Sequence, residues 1–239
     1  MANTHPQIAG RAAIVTGAGR GIGAAVAQHL ARLGARVCLT SRSTSEIQDV
    51  LASIRAEGGE GAAITADVTV EEDVQRLFEA AHGELGPVSI LVNNAGEGFL
   101  QPFADTSLEQ WNQCVASNMT SMFLCSREAF RRMSGHGGGD IVNVSSLAGK
   151  TGIINAAAYC AAKSGTLGLA RALAREGARV GIRVNSVCPG ATRTQMRQKL
   201  FGSERRETLL EPDEVAAAVT MLLSGAALSI RGAEIDLVR

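Results

Sequence analysis

The feature that most limits how this chain can fold is a glycine cluster set between an apolar run and an alanine-rich helical pattern. Ala12 to Thr16 is apolar and partly β-branched. Thr16-Gly17-Ala18-Gly19-Arg20-Gly21-Ile22-Gly23 follows at once, and an alanine-rich stretch then runs to Leu33. A strand, a tight glycine turn and a helix, in that order, aim backbone amides and the positive end of a helix dipole at a pyrophosphate. Gly17, Gly19, Gly21 and Gly23, with Arg20 and Ile22 between them, are therefore expected to cradle a dinucleotide. The plain alternative is a tight turn with no ligand.

The same alternation continues along the chain. Apolar runs at Arg36 to Thr40, Ala62 to Ala66, Ser89 to Asn93, Asp140 to Ser145, Arg183 to Val187 and Glu234 to Val238 are separated by helical patterns. Several of them, such as IVNVSS and SILVNN, lack strict polar alternation, as strands covered on both faces do. The expected fold is α/β: a doubly wound parallel sheet of the Rossmann type with helices on both faces, formed by residues 1–239 as a single domain. Thr69 with Glu72, and Ser107 with Gln110, have capping-box spacing, and Pro212 suits a first helical turn. The glycine-rich piece from Gly135 to Gly139 reads as a turn before a strand.

Composition narrows the partner. Lys plus Arg and Asp plus Glu both number 23 in 239 residues, so no charge bias points to nucleic acid or to a membrane surface. The apolar stretches fall short of a membrane span, and the N-terminus has no basic start followed by an apolar run, so a cytoplasmic protein acting on a small molecule is expected. Five scattered cysteines without a CxxC pair argue against a disulfide framework and against zinc. Buried, reduced thiols are expected.

Cofactor preference is read at the end of the second strand. An acidic residue there takes the adenosine ribose hydroxyls, whereas a nearby arginine takes the extra phosphate of NADP. This strand ends Leu39-Thr40-Ser41-Arg42-Ser43 with no carboxylate. Arg42 and Arg20, helped by the hydroxyls of Ser41 and Ser43, are suited to a 2′-phosphate. NADP(H) is expected in preference to NAD(H), the alternative being that both arginines are simply solvated.

A second constellation supplies chemistry. Ser145 ends the fifth strand with Ser146 just past it, and Tyr159-Cys160-Ala161-Ala162-Lys163 opens a helical pattern that runs through Arg175. Spacing of four puts Tyr159 and Lys163 on one helix face, and the carboxyl edge of the sheet brings Ser146 toward the same crevice. Carbonyl reduction needs a hydride, a held oxyanion and a proton. Tyr159, the single tyrosine of the chain, is the expected proton donor, and Ser146 the holder of the substrate oxygen. Lys163 is expected to lower the tyrosine pKa, where a shift from about 10 to about 7 corresponds to about 4 kcal/mol.

Thr16 to Gly23, Asn93-Asn94-Ala95-Gly96, Ser146, Tyr159-x-x-x-Lys163 and Pro189-Gly190 together resemble the short-chain dehydrogenase/reductase family over almost the whole chain, with likeness to its 3-oxoacyl reductases. The resemblance implies a tetrad of Asn118, Ser146, Tyr159 and Lys163, with Asn118 supporting a water-linked proton path and Lys163 also holding the nicotinamide ribose. It implies that Asp67 and Val68 bracket the adenine, although Asp67 also suits capping before Thr69. It further implies that Asn94, Ala95 and Gly96 pack against the cofactor, that Pro189, Gly190, Thr192 and Thr194 approach the carboxamide, and that the chain forms a homodimer or homotetramer. Trp111 and the helix from Phe123 to Phe130 are interface candidates that would serve equally as core.

Three departures bear on substrate. The segment between Thr194 and Glu211 is short for a substrate loop, and its charges, Arg197, Lys199, Arg205 and Arg206 against Glu204 and Glu207, suit either an anionic substrate or solvated helix faces. The segment from Gly135 to Asp140 lacks the basic residues typical of carrier-protein reductases. The tail to Arg239 lacks the family's usual Val-Asp-Gly-Gly ending. The expected activity is NADP-dependent reduction of a ketone, with a 3-oxoacyl thioester among the candidates. The alternatives are an NAD-dependent alcohol dehydrogenase and a nicotinamide-binding regulator without turnover.

Overall fold

Ala12–Thr16 is buried at every position and forms the central strand, β1. Such a run has no solvent face, so it needs a strand on each side and a helix layer above and below. The computed structural model, which describes residues 8–202 and 205–239, supplies all four. Expectations placed on residues 1–7, on Glu204 and on the side chain of Arg206 lie outside the described residues.

The strands are β1, β2 (Arg36–Ser41), β3 (Glu60–Thr65), β4 (Val88–Asn93), β5 (Gly139–Val144), β6 (Ile182–Pro189) and β7 (Glu234–Leu237). They form one parallel sheet in the order β3-β2-β1-β4-β5-β6-β7. The expected doubly wound architecture is what the chain adopts. The helices are α1 (Gly21–Arg32), α2 (Thr44–Ala56), α3 (Glu71–Leu85), α4 (Leu108–Val115), α5 (Ser121–Ser134), α6 (Ala148–Thr151), α7 (Ala157–Gly177), α8 (Gln195–Phe201) and α9 (Pro212–Leu223). Ala13 and Val15 of β1 pack with α1, α2 and α9 on one face, and Ala12 and Ile14 pack with α3, α5 and α7 on the other. The order reverses at β1, whose neighbours β2 and β4 lead their connections to opposite sides and open a crevice at the carboxyl edge.

Several local expectations need correction. β3 starts at Glu60 rather than Ala62 and stops before Ala66, because its exposed polar start pairs with Arg36 and Val37 without leaving an apolar pattern. Ser145 and Val238 lie just beyond their strands. Thr69 does not cap α3: the N-cap is Val70. The Asp67 carboxylate instead accepts both the amide (2.9 Å) and the hydroxyl (2.7 Å) of Thr69, a stronger acceptor closing its own turn first. The Ser107–Gln110 capping box and Pro212 at the start of α9 form as expected.

At the opposite, amino edge the sheet is fastened by buried charge. A bulge in β4 skips Ser89 between the partners of Ala12 and Ala13. The freed Ser89 accepts Arg11 at its carbonyl oxygen (2.6 Å) and its hydroxyl (3.0 Å). Arg11 and Arg183 then flank Asp140 at 2.7 and 2.6 Å, and Arg183 also donates to the Ala227 carbonyl at 2.7 Å. This ties β1, β4, β5 and β6 together. Removing one member leaves the others charged and buried, which costs about 3–5 kcal/mol. Asp140→Ala is expected to lower unfolding free energy by that amount in urea titrations; a loss under about 1 kcal/mol would reduce the cluster to the worth of a surface pair.

Candidate active site

Thr16 closes β1 and organises the crevice. Its buried hydroxyl donates to Val92 O (3.4 Å) and accepts the amides of Asn94 and Ala95, both at 3.0 Å. Asn94 Nδ2 returns to the carbonyl oxygens of Thr16 (2.9 Å) and Gly17 (3.2 Å). The ends of β1 and β4 are thereby held together, and the glycine turn rises between them. Gly17 and Gly21 sit at φ +63° and +56°, where a side chain is disfavoured. A Cβ on Gly23 would stand 2.2 Å from Gly17 O, so only glycine lets α1 start this close to the turn.

The N-terminus of α1 carries no side-chain cap and opens into a cavity of about 660 Å³ at the carboxyl edge. Uncapped amides facing a glycine-lined cavity fit a dinucleotide pyrophosphate. The cavity brings together Gly17, Gly19, Arg20, Gly21, Ile22, Ser41, Arg42, Asp67, Val68, Asn94, Ala95, Gly96, Asn118, Tyr159, Lys163 and Thr194, as expected from sequence. Gly23 lies behind the wall as a packing glycine. Pro189, Gly190 and Thr192 also stand back from the surface of the cavity: Pro189 O accepts Leu147 N (3.1 Å), Gly190 N donates to Leu237 O (2.9 Å), and the Thr192 hydroxyl donates to Gly190 O (3.1 Å). Their contribution is to shape the turn that delivers Thr194.

At the far end of the cavity, α7 carries Tyr159 and Lys163 on one face, with Lys163 Nζ 5.7 Å from the tyrosine ring centroid. Lys163 is buried, and its ammonium donates to Val144 O at 3.0 Å. Beneath it, Ser145 Oγ donates to Lys163 O (3.2 Å) and pairs with the Thr166 hydroxyl (3.0 Å), which fixes the start of α7 against β5. Burial pushes Lys163 down to about 8 and Tyr159 up to about 12, while the Ser146 hydroxyl pulls Tyr159 the other way. Desolvation of the phenolate is thus the larger influence on Tyr159, and the Ser146 hydroxyl is the group that opposes it.

Asn118 sits in a π-helical turn, Ala116–Thr120, joining α4 to α5, an insertion that commonly marks functional positions. Its Nδ2 donates to Glu97 O (2.7 Å) and Cys114 O (2.9 Å), and its buried Oδ1 has no partner. A Cβ on Gly96 would stand 2.4 Å from that oxygen and 3.6 Å from Lys163 Nζ. Gly96 thus preserves the gap between asparagine and lysine. An unpaired buried acceptor beside an ammonium is a place for a bridging water.

Sequence reading missed two carboxylates that line this cavity. Glu46, in the first turn of α2, pairs with Arg20 at 2.9 Å, and Glu97 pairs with Arg42. Glu46 lies one helical turn beyond Ser43, and Glu97 directly follows Gly96; neither position has a motif of its own. Gln195, Met196 and Lys199 of α8 also line the cavity, and Arg197 stacks on Phe201 at 3.7 Å. Cys38, Cys114, Cys125 and Cys188 are buried free thiols, while Cys160 is half-buried. Trp111 and Phe123 are partly exposed and Phe130 is half-buried. Among the described residues no helix is long and apolar enough to cross a membrane.

Comparison with known proteins agrees with this geometry. A family model described as short chain dehydrogenase matches residues 11–205. A 3-oxoacyl-(acyl-carrier-protein) reductase of Vibrio cholerae is 37% identical over 231 residues, covering 93% of each chain. Among solved structures, a variant of actinorhodin polyketide ketoreductase with NADPH superposes with a TM-score of 0.90 at 32% identity, covering 95% of both chains. A 7α-hydroxysteroid dehydrogenase complexed with NADH and 7-oxo glycochenodeoxycholic acid superposes with a TM-score of 0.92 at 31% identity, covering 100% of this chain and 97% of that one.

The lysine makes the site a stability liability. With its pKa near 8 when folded against an ordinary 10.5, Lys163 binds its proton more weakly in the native state. At pH 7 this costs about 3 kcal/mol, and the cost fades as pH rises from about 8 to 10.5, where the unfolded chain alone still holds the proton. Lys163→Met also loses one hydrogen bond, so it is expected to be about 1–3 kcal/mol more stable than wild type at pH 7, with the difference narrowing toward pH 10. Denaturant midpoints at the two pH values check this; a variant less stable at pH 7 would contradict it.

Proposed function

Because the chain belongs to the short-chain dehydrogenase family, an oxidoreductase family using nicotinamide cofactors, we propose that it reduces a ketone to a secondary alcohol with NADP(H) and that Tyr159 delivers the proton. One observation carries this reading: Tyr159, Lys163 and Asn118 line the same cavity as the glycine turn and the uncapped start of α1. The bound nicotinamide supplies the hydride. Gly17, Gly19 and Gly21 let the backbone approach its pyrophosphate, with Asp67 and Val68 toward the adenine and Asn94 to Gly96 along one wall.

The side chains then divide the remaining work. Ser146, which stands just behind the lining residues with its hydroxyl accepting Ala148 N at 3.1 Å and hydrogen-bonded to Tyr159, holds the substrate oxygen together with Tyr159. Tyr159, held protonated by burial, carries the proton that the forming alkoxide needs. Its acidity must rise as the oxyanion develops, and the Lys163 ammonium is the positive charge placed to stabilise the phenolate left behind. Asn118, with its unpaired oxygen beside Gly96 and Lys163, positions a water through which the proton is restored. Removal of the tyrosine hydroxyl leaves the cradle intact, so a regulator without turnover and an enzyme are separable.

The ketoreductase and hydroxysteroid relatives suggest, as a proposal, a keto group such as that of a 3-oxoacyl thioester or a fused-ring ketone. Gly98 of the loop Gly96 to Phe103 and Met196 and Lys199 of α8 line the same cavity, and a Cβ on Gly98 would stand 3.5 Å from Leu200 Cδ1 of that helix. We further propose a single catalytic domain, assembled as a dimer or tetramer, in the cytoplasm. Arg42, at the end of β2, takes the 2′-phosphate in this reading.

Three outcomes are expected. Tyr159→Phe lowers ketone reduction by about 10²–10⁴-fold while calorimetric NADPH binding persists; unchanged turnover on every accepted carbonyl would remove Tyr159 from the mechanism. Reductive kcat falls as pH rises through about 8, because Lys163 is charged below that value and neutral above it; a flat profile to pH 9.5 would deny the charge its role. Arg42→Ala weakens NADP(H) about 10- to 100-fold, the worth of a charge-assisted hydrogen bond, and leaves NAD(H) unaffected.

A further inference from the structure

The two arginines suited to a 2′-phosphate already hold carboxylates. Arg42 donates to Glu97 Oε1, and Arg20 Nη1 donates to Glu46 Oε1 at 2.9 Å. All four side chains line the cavity. Arg20 and Arg42 thus face Glu46 and Glu97, and Asp67 adds a third carboxylate on the adenine side, so this end of the site lacks the net positive charge of a phosphate-selective site.

The two pairs are not equivalent. Glu46 lies in the first turn of α2, where the helix dipole favours a carboxylate, and Glu46 Oε2 lies 2.9 Å from the point a Cβ on Gly19 would occupy, seated on the glycine turn. Glu97 has no such support: among the described residues, Arg42 is the one hydrogen-bond partner of its carboxylate. Arg42 follows β2, and Glu97 follows the turn that leaves β4. Since β2 and β4 flank β1, the bridge between them spans the crevice. Both of its side chains are well exposed, at 64% and 40%, so solvent and salt weaken it.

We propose that Glu97 is a specificity-determining residue for the cofactor: its carboxylate holds Arg42 across the crevice, so a 2′-phosphate binds only by displacing it. An incoming NADP(H) exchanges one anion for another on the same guanidinium and leaves Glu97 near a phosphate. NAD(H), with a hydroxyl at that position, has no anion to offer Arg42. The penalty falls on the phosphorylated cofactor alone, and Glu97 narrows a preference that Arg42 by itself would make wide. The inference rests on the assignment of Arg42 to the 2′-phosphate made above. The backbone role of Glu97, whose carbonyl oxygen holds Asn118 Nδ2 at 2.7 Å, is separate from its carboxylate and survives a side-chain change.

The test is calorimetric titration of NADP+ and NAD+ into wild type, Glu97→Gln, Arg42→Ala and the double variant. Glu97→Gln is expected to tighten NADP+ by about fivefold, the upper worth of an exposed ion pair, with NAD+ changed by less than about twofold. In the Arg42→Ala background the same change is expected to give no gain for NADP+. If Glu97→Gln leaves the NADP+/NAD+ ratio unaltered or lowers it while Arg42→Ala still weakens NADP+, the role of Glu97 is wrong and the phosphate assignment stands. A full gain persisting without Arg42 would also overturn it, since the carboxylate would then act on phosphate directly. If Arg42→Ala leaves NADP+ binding unchanged, the phosphate assignment itself fails, and the proposal with it.

Discussion

The structure depends on the close contact between the end of β1 and what lies on either side of it. Thr16 spends its hydroxyl on the backbone of β4 and the turn beyond it, and Asn94 answers with its amide on the Thr16 and Gly17 carbonyls. No side chain intervenes between the glycine turn and α1, because Gly23 meets Gly17 O directly. With those groups satisfied, the amides at the start of α1 are left facing the cavity. The binding feature is thus a by-product of how tightly the first β-α unit is packed.

Catalytic geometry follows from a second layer anchored on the same edge. β5 ends at Val144, whose carbonyl oxygen receives the Lys163 ammonium, and Ser145 fixes the backbone of Lys163 from below. Burial sets the protonation states in opposite senses, with Tyr159 held as phenol and Lys163 made a weaker base. Both shifts have the same cause, desolvation of a charged form, but only that of Lys163 costs stability at neutral pH, where Tyr159 is a neutral phenol folded or unfolded. The amino edge bears the compensating strength, where Arg11, Asp140 and Arg183 bind four strands together away from the chemistry. Function and fastening occupy opposite ends of the sheet.

Much of this was legible in the sequence because it depends on short-range pattern. Strand, glycine turn and helix are contiguous, and a spacing of four on a helix puts Tyr159 beside Lys163. The ends were less legible. β3 begins with exposed residues that pair through their backbone, which hydrophobicity does not record, and Thr69 is held by the Asp67 carboxylate in a turn before α3, whose N-cap is Val70. Pro189, Gly190 and Thr192 were expected at the cavity and instead stand behind it, since a strand end can shape a site without lining it.

The sequence by itself determined the parallel α/β architecture and the membership of most of the cavity, because both follow from periodicity and from glycine and helix geometry within a few dozen residues. Tertiary structure alone decided the electrostatics. Glu97 and Arg42 are 55 positions apart, and Glu46 and Arg20 are 26 apart; nothing local to either pair reveals that they meet. The upward shift of Tyr159 likewise came from burial, which no spacing encodes. Charge acts through space and depends on what excludes water, so the sheet had to be assembled before the balance of charge at its edge existed.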